Sequence, residues 1–318
     1  MKLLYVTTHQ IHNLTPLFRS LAKIKEIKFK TIYWVNIEKN HHDPGFNKTI
    51  NFEVDPLSGH DYYCLFNEKK NIYNWSFIFQ LKIIPRLIKL ILTEKFNVVV
   101  FHSYTIPHIF GAIAAKIIGK KTVIRNISYN LGKRSLIKKI ARSFFYKFAN
   151  IFFDEYWTIH KLNELFYLNF NVKKKNMHLI DHCQGEYKSM IEDDPSLILN
   201  KNDFCSKYDL PTNKKFILFA GRFIERKNPK ILIESFLNAN LSEDWFLIMI
   251  GNGKFEMDLK SFAEKNNLKN IKFFDFQGQK KIISFFKNCE FLVVPSQLGD
   301  THGNIAAEAI QFGCALVL

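Results

Sequence analysis

Two carboxylates, Asp300 and Glu308, stand eight positions apart in the run VPSQLGDTHGNIAAEA (294–309). The apolar stretch Phe291 to Pro295 before them has the pattern of a buried strand. Gly303 and Asn304 read as the start of a helix, Ile305 to Phe312, that Gly313 stops. A strand that runs through a loop into a helix N-terminus offers backbone N–H groups and about +0.5 of an elementary charge to an anion. Asp300 is expected in the loop above the strand. Glu308 is expected about one turn into the helix, where it can accept hydrogen bonds from vicinal hydroxyls.

The run KFILFAGRFIERKNP (215–229) supplies the matching cations. Phe216 to Ala220 reads as a short buried strand, and Gly221 lets the backbone turn. Asn228 reads as an N-cap, with Pro229 in the first helical position. Arg222 and Lys227 flank the turn and form an electrostatic clamp for a diphosphate that needs no metal. An anion cradle beside hydroxyl-binding carboxylates suits a nucleotide-sugar.

In these two segments the chain resembles the retaining GT-B glycosyltransferases of glycosyltransferase family 4 (glycosyl transferases group 1). That family carries a G-R-x-x-x-x-K loop and an E-x7-E motif in its second domain. Here they read Gly221-Arg222…Lys227 and Asp300…Glu308, with Gly251-Asn252-Gly253 after a strand between them. The resemblance implies that Arg222 and Lys227 bind the donor diphosphate; the helix start at Gly303 and Asn304 is the donor-binding cradle read from the sequence beside them. The resemblance also implies that Glu308 holds the ribose hydroxyls and that Asp300 faces the donor sugar. Asp in place of the first Glu keeps the charge and shortens its reach by one methylene. The likeness covers about 210–318 well. Over 1–200 it rests on the order of elements and on phrases such as LYVTTH (4–9).

These groups need a scaffold, and the chain alternates short apolar runs with helical patterns, the signature of doubly wound α/β domains. In the first half, strands are expected at Lys2–Thr7, Phe29–Val35, Asn97–Phe101, Thr122–Ile127, Tyr156–Ile159 and Met177–Ile180. Helices are expected at Leu14–Ile24, Trp75–Thr93 (with Pro85 as a kink), Ile106–Ile118 and a basic stretch after residue 133. Residues 38–74 read as a long polar loop or insertion. In the second half, strands are expected at 216–220, 245–250, 271–275, 291–295 and 314–318, with helices at 229–238, 255–266, 279–287 and 304–312. A polar bridge at 183–213 suggests an acceptor-side domain over 1–190 and a nucleotide-sugar-binding domain over 191–318. The expected fold is therefore GT-B: two Rossmann-like parallel-sheet domains facing a cleft. The chain stops inside a strand at Leu318, where the family's second domain continues. A second domain without its final helices, as in a fragment or a truncated gene, is the expectation.

The chain has 318 residues, 47% of them hydrophobic, enough for two packed domains. No apolar run reaches the length of a membrane span, and the N-terminus reads as a first strand rather than a signal peptide. Five dispersed cysteines suit a reducing cytoplasm. Formal net charge is +16, and from Lys95 to Phe153 there are eleven Lys/Arg and no Asp or Glu. Within this stretch, residues 133–148 interleave cations with Leu136, Ile137, Ile140, Phe144, Phe145 and Phe148. Two readings remain for that helix. One is a basic surface helix packed on its own domain; the other is a helix lying on an anionic membrane, which would place the protein on the inner membrane face. No nucleic-acid motif accompanies the charge, so phosphate-backbone binding would be non-specific.

His102 follows a first-domain strand at its carboxyl end, where open α/β sheets bind ligands. Relatives with a His there hold it near the donor sugar, and His102 is the first-domain catalytic candidate beside Asp300. His9 ends strand one and is a candidate cleft residue, ahead of His12. Arg125 ends another strand and faces either the cleft or the basic surface. His178, Asp181 and His182 could be drawn as a metal site, but their spacing is common by chance and they read as a solvated strand end; His41-His42-Asp43 reads as loop, and no metal site and no cofactor are expected.

The leading function is a cytoplasmic retaining transferase of a hexosyl type. It would move sugar from a nucleotide-diphosphate sugar to a saccharide or lipid-linked acceptor, as in surface-polysaccharide assembly. A truncated, inactive relative that binds a nucleotide-sugar or a membrane is the alternative. A dehydrogenase is disfavoured, because Thr7 to His12 lacks a Gly-x-Gly-x-x-Gly loop. A sugar-nucleotide epimerase or a phosphorylase shares the scaffold.

Overall fold

The structure is a computed structural model. It describes residues 1–36, 40–43, 48–51, 53, 55–66, 76–128, 135–180, 185–239, 241, 243–296 and 303–318. The chain divides into two compact units, Met1–Glu38 with Asp55–Cys183, and Lys39–Val54 with Gln184–Leu318.

In chain order the first half contains β1 (Lys2–Thr7), α1 (Thr15–Lys23), β2 (Lys28–Val35), β3 (Asn40–Asp43), β4 (Lys48–Asn51), β5 (Asp61–Phe66), α2 (Phe77–Thr93), β6 (Val98–His102), α3 (Ile106–Ile117), β7 (Lys121–Arg125), α4 (Leu136–Asn150), β8 (Glu155–Thr158), α5 (Lys161–Leu168) and β9 (Met177–Leu179). Seven of these strands form one sheet in the order β5-β2-β1-β6-β7-β8-β9, and every pairing in it is parallel. The chain winds outward one way from β1 through β2 to β5, then restarts at β6 and winds the other way. The reversal lies between β1 and β6.

Alternation along β1 explains the layers. Leu3 and Tyr5 point to the cluster around Phe18 of α1. Leu4 and Val6 point to the cluster with Ile83 and Leu87 of α2 and Ala112 of α3. A strand buried on both faces reads as a continuous apolar run, and burying each such Leu or Phe contributes about 1.5–3 kcal/mol.

Two expectations change in this half. Within the stretch read as loop, Asp61–Phe66 is a strand in register with β2, Lys30 opposite Asp61; its first half is exposed and only Cys64 to Phe66 are buried. In helix α4 the apolar residues Leu136, Ile137, Ile140, Phe144 and Phe148 are exposed. Ala149 is its one fully buried residue. Tyr146 packs on Phe166 and Phe170 with ring centroids 5.0 and 4.8 Å away.

The second half contains α6 (Tyr187–Asp193), α7 (Lys201–Tyr208), β10 (Lys215–Ala220), α8 (Pro229–Asn238), β11 (Trp245–Ile250), α9 (Glu256–Lys265), β12 (Ile271–Phe274), α10 (Gln279–Asn288), β13 (Phe291–Val293), α11 (Asn304–Ile310) and β14 (Ala315–Val317). The five strands form a sheet in the order β12-β11-β10-β13-β14, again with parallel pairings throughout. Phe216 and Leu218 face the cluster with Phe204 of α7 and Phe285 of α10. Phe219, with Leu247 and Met249 of β11, faces the cluster with Ile233 of α8 and Leu259 of α9.

The stretch read as a polar bridge is thus helical, tied down by Tyr187, Phe204 and Cys205 in that core. The antiparallel pair β3–β4 groups with this unit, where the Glu53 carboxylate accepts the backbone N–H of Lys280 in the first turn of α10 at 2.6 Å.

Candidate donor-binding site

In an open α/β sheet the ligand crevice forms beyond the carboxyl ends of the strands, where the winding reverses. In the second unit that point lies between β10 and β13, paired through Ile217–Phe291 and Leu218–Leu292. The loop after β10 carries Arg222 and Lys227; the loop after β13 leads to Gly303, Asn304 and Glu308. The two predicted motifs therefore leave the same end of the sheet on adjacent strands. Asp300 lies outside the described residues.

The loop after β10 is held by its neighbour rather than by its own regular structure. Phe223, fully buried, donates its N–H to the carbonyl of Asn252 at 2.9 Å and accepts from the N–H of Phe255 at 3.2 Å. Gly251 and Gly253 allow this approach. Their φ angles are +146° and +151°, and a Cβ on them would lie 1.9 Å from the Gly221 carbonyl oxygen and 2.6 Å from that of Phe223. Asn252 is itself buried. Its amide nitrogen donates to Glu256 and to Asp275, each at 2.9 Å, and its oxygen accepts the N–H of Phe276 at 2.9 Å. Arg222 thus extends from a loop whose backbone is fixed on the side of β11.

Lys227 closes a 3-10 turn, Glu225–Lys227, and is half-buried, whereas Arg226 beside it is exposed. Pro229 takes the first helical position of α8, as predicted. Asn228 precedes it in the left-handed region, φ +48°, with no side-chain cap hydrogen bond. The expected Asn side-chain cap is therefore absent. Asn tolerates this backbone region better than most residues, and it turns the chain sharply into α8.

Helix α11 starts after Gly303, which sits at φ +54° and makes no side-chain cap. Glu308 lies one turn in and half-buried. Its Oε2 accepts a hydrogen bond from the Tyr187 hydroxyl at 2.8 Å. Burial raises the Glu308 carboxyl from 4.5 to about 7, against the opposing effect of that hydrogen bond. Burial and the adjacent carboxylate also push the Tyr187 phenol well above its usual value. Tyr187 was missed in the sequence because 121 positions separate it from Glu308 and no spacing rule joins them.

In the first unit the winding reverses between β1 and β6. His102, the last residue of β6, is buried, and its Nδ1 lies 2.9 Å from the hydroxyl of Tyr5, itself fully buried. His9 follows β1 by two residues, half-buried, with Nδ1 2.7 Å from the Thr8 hydroxyl. Arg125 stands abreast of His102 across β6 and β7 and is fully buried. The positive charge of Arg125 favours ionisation of buried Tyr167, although burial dominates and raises that phenol. His12 opens a short 3-10 turn after His9.

His178 lies on edge strand β9, its Nε2 2.8 Å from Glu155 Oε2. Asp181 and His182 lie outside the described residues, as do the side chains of His41, His42 and Asp43. Among the described residues no group of three or more His, Cys, Asp or Glu is placed to hold a metal ion. Cys64, Cys205, Cys289 and Cys314 are buried and unbridged. No helix among the described residues is long and apolar enough to cross a membrane.

Residues 200–318 match the family model described as "Glycosyl transferases group 1". An uncharacterized glycosyltransferase of Methanocaldococcus jannaschii is 26% identical over 222 residues, 68% of this chain and 54% of that one. The chain thus spans about half the length of this relative. Among solved structures, Anabaena HepE in complex with UDP and glucose superposes with a TM-score of 0.66 at 14% identity, over 99% of this chain and 80% of that chain. The UDP-GlcNAc 2-epimerase of Methanocaldococcus jannaschii gives 0.63 at 16%, over 99% and 83%. At these identities the likeness shows the fold: two Rossmann-like parallel-sheet domains, the GT-B architecture.

Proposed function

We propose that the protein transfers a hexosyl group, with retention of anomeric configuration, from a nucleoside-diphosphate sugar to a hydroxyl of a saccharide or lipid-linked acceptor. The observation that carries this reading is the reversal point between β10 and β13. It is flanked by Gly221-Arg222…Lys227 on one side and Gly303 to Glu308 on the other, within the segment that matches the glycosyltransferase family model. That HepE was obtained with UDP and glucose supports a uridine diphosphate-sugar as the donor class to try first.

Arg222 and Lys227 grip the two phosphates, and the N–H groups at Gly303 and Asn304 complete the cradle. Glu308 accepts the ribose hydroxyls. As the bond between the anomeric carbon and the diphosphate oxygen lengthens, negative charge builds on the leaving group. The two cations stabilise that charge more in the transition state than in the ground state, the part a divalent metal plays elsewhere. No metal or other cofactor is required in this reading. Asp300 is the carboxylate assigned to the donor sugar, and His102 is the catalytic candidate of the first domain. The acceptor proton passes to an oxygen of the departing phosphate, so that acceptor and leaving group meet on one face of the sugar and configuration is kept. Surface-polysaccharide assembly in the cytoplasm is the setting this chemistry fits.

The test is a transfer assay. UDP-sugars are first screened by the rise in melting temperature that a bound donor causes, and the best donor is incubated with saccharide and lipid-linked acceptors. Release of nucleoside diphosphate with a new α-linkage from an α-donor is the expected result, with activity abolished in Arg222→Ala/Lys227→Ala. Conversion of the donor into an isomeric nucleotide-sugar without acceptor would assign an epimerase instead. Full transfer by the double variant would overturn the assignment of the cations.

A further inference from the structure

Helix α4 presents two faces of different chemistry. Toward its own unit it offers Tyr146, seated against Tyr104, Phe166 and Phe170 with ring centroids about 5 Å apart, and the buried Ala149. Away from the unit, Ile137, Ile140, Phe144, Phe148 and Ile151 recur at spacings of three and four. At 100° per residue they fall on one stripe. All are exposed, Ile137 at 80% and Phe144 at 75%, and the rings of Phe144 and Phe148 stack in parallel 6.5 Å apart. The helix thus carries an apolar stripe that faces outward and is exposed along its length.

The charges beside this stripe are all of one sign. Lys138, Lys139, Arg142 and Lys147 lie on the helix with no acidic residue, in a stretch that holds none from Lys95 to Phe153. Lys138, Lys139 and Lys147 are exposed, and their long stems can carry the ammonium groups around the rim of an embedded stripe.

We propose that α4 is a membrane-surface anchor, lying parallel to a bilayer rich in anionic lipid. The Ile and Phe stripe would enter the interface and the cations would meet phosphate headgroups. Charge decides the occupant. A second copy docked on the same stripe would bring eight cations together with no acid to oppose them. A nucleic acid would use the cations and leave the aliphatic stripe in water. An anionic bilayer satisfies both features at once. The inference rests on α4 alone and stands independently of the donor site.

The test is co-flotation of the full chain with vesicles of phosphatidylcholine and phosphatidylglycerol, against vesicles of phosphatidylcholine alone. Strong binding is expected only to the anionic vesicles, weakening as salt rises. Ile140→Gln/Phe144→Gln should lower the partition coefficient at least tenfold. Both positions are exposed, and Gln keeps helix propensity, so circular dichroism and melting should match the parent. Lys138→Gln/Lys139→Gln/Lys147→Gln should flatten the salt dependence. In Phe144→Trp the indole emission should shift to the blue on adding anionic vesicles. Equal flotation of parent and Ile140→Gln/Phe144→Gln, or an unshifted Trp emission, overturns the proposal. So does a dimer in sedimentation that those substitutions dissolve while vesicles remain unbound.

Discussion

The Tyr187 hydroxyl donates to Glu308 Oε2 across 2.8 Å, linking the first helix of the second unit to the helix that follows β13. The bond fixes the orientation of the carboxylate expected to receive the ribose. It also opposes the rise in pKa that burial imposes, leaving the group at about 7. Ribose hydroxyls donate to the carboxylate, and the ionised form accepts more strongly. UDP affinity is therefore expected to rise as pH increases through about 7. Glu308→Gln should remove that pH dependence and weaken binding about tenfold. Tyr187→Phe should move the midpoint to higher pH, since the bond it removes favours the ionised form. Titration calorimetry across pH 5.5–8.5, roughly centred on that midpoint, reads all three. A pH-independent parent would contradict the role given to Glu308.

The same carboxyl gives a stability prediction of opposite sign. Its folded value, about 7, lies above the ordinary 4.5, so the folded protein holds the proton more tightly than the unfolded chain. The stabilisation is fully present below about 4.5 and is lost as pH climbs through about 7. In the ligand-free protein it should amount to about 2 kcal/mol after allowance for solvent screening. Relative to the parent, Glu308→Gln should therefore gain stability between pH 5 and 7.5, approximately the window of that titration. Parallel melting curves at all pH values would show that Glu308 titrates as an exposed acid.

Glycines 251 and 253 hold the backbone contact that seats Arg222. A Cβ on Gly253 would lie 2.6 Å from the Phe223 carbonyl oxygen, at a φ of +151°. Gly253→Ala should cost about 3 kcal/mol from strain and displaced backbone. Gly119→Ala is the control: it also has positive φ but no atom within 4 Å, so it should cost only the backbone term, about 1 kcal/mol. Chemical denaturation measures both. A larger loss at Gly119 would remove the argument for a clamped loop.

His102 is buried against Tyr5, whereas the groups assigned to the diphosphate all belong to the second unit. His102→Ala should therefore lower kcat of transfer by a factor of about 100, in the usual range for a lost positioned catalytic group, with UDP affinity changed less than threefold. Tyr5→Phe should give a smaller fall in kcat. A His102→Ala variant that loses UDP affinity and retains kcat would reverse the assignment.

The second sheet was legible because strands buried on both faces write themselves as unbroken apolar runs. Trp245–Ile250 and Pro229–Asn238 fall where the sequence put them. Edge strand β5 was not legible, because only its last three residues are buried and no helical pattern separates it from β2. Helices α6 and α7 are short and mostly polar; Tyr187, Phe204 and Cys205 are their fully buried residues, with Met190, Ile191 and Tyr208 packed half-buried beside them, and so few buried positions leave no clear period. The cations and Glu308 were named as candidates from their motifs in the sequence, and the sheet order puts the two loops that carry them after neighbouring strands. The hydrogen bond from Tyr187 to Glu308 and the outward stripe of α4 arise from tertiary packing. An amphipathic pattern cannot say which face meets the protein when aromatic residues occur on both.

The central claim is that Arg222 and Lys227 grip a diphosphate at the reversal point of the second sheet. Calorimetric titration of the full chain with UDP, in buffer containing a metal chelator, tests it most directly. The parent is expected to bind, and Arg222→Ala/Lys227→Ala to bind at least about 100-fold more weakly. That factor corresponds to about 2.7 kcal/mol, within what two lost charge-assisted contacts remove. Melting of the double variant should be unchanged. Equal UDP affinity in parent and variant, or binding that disappears with the metal, would contradict the account.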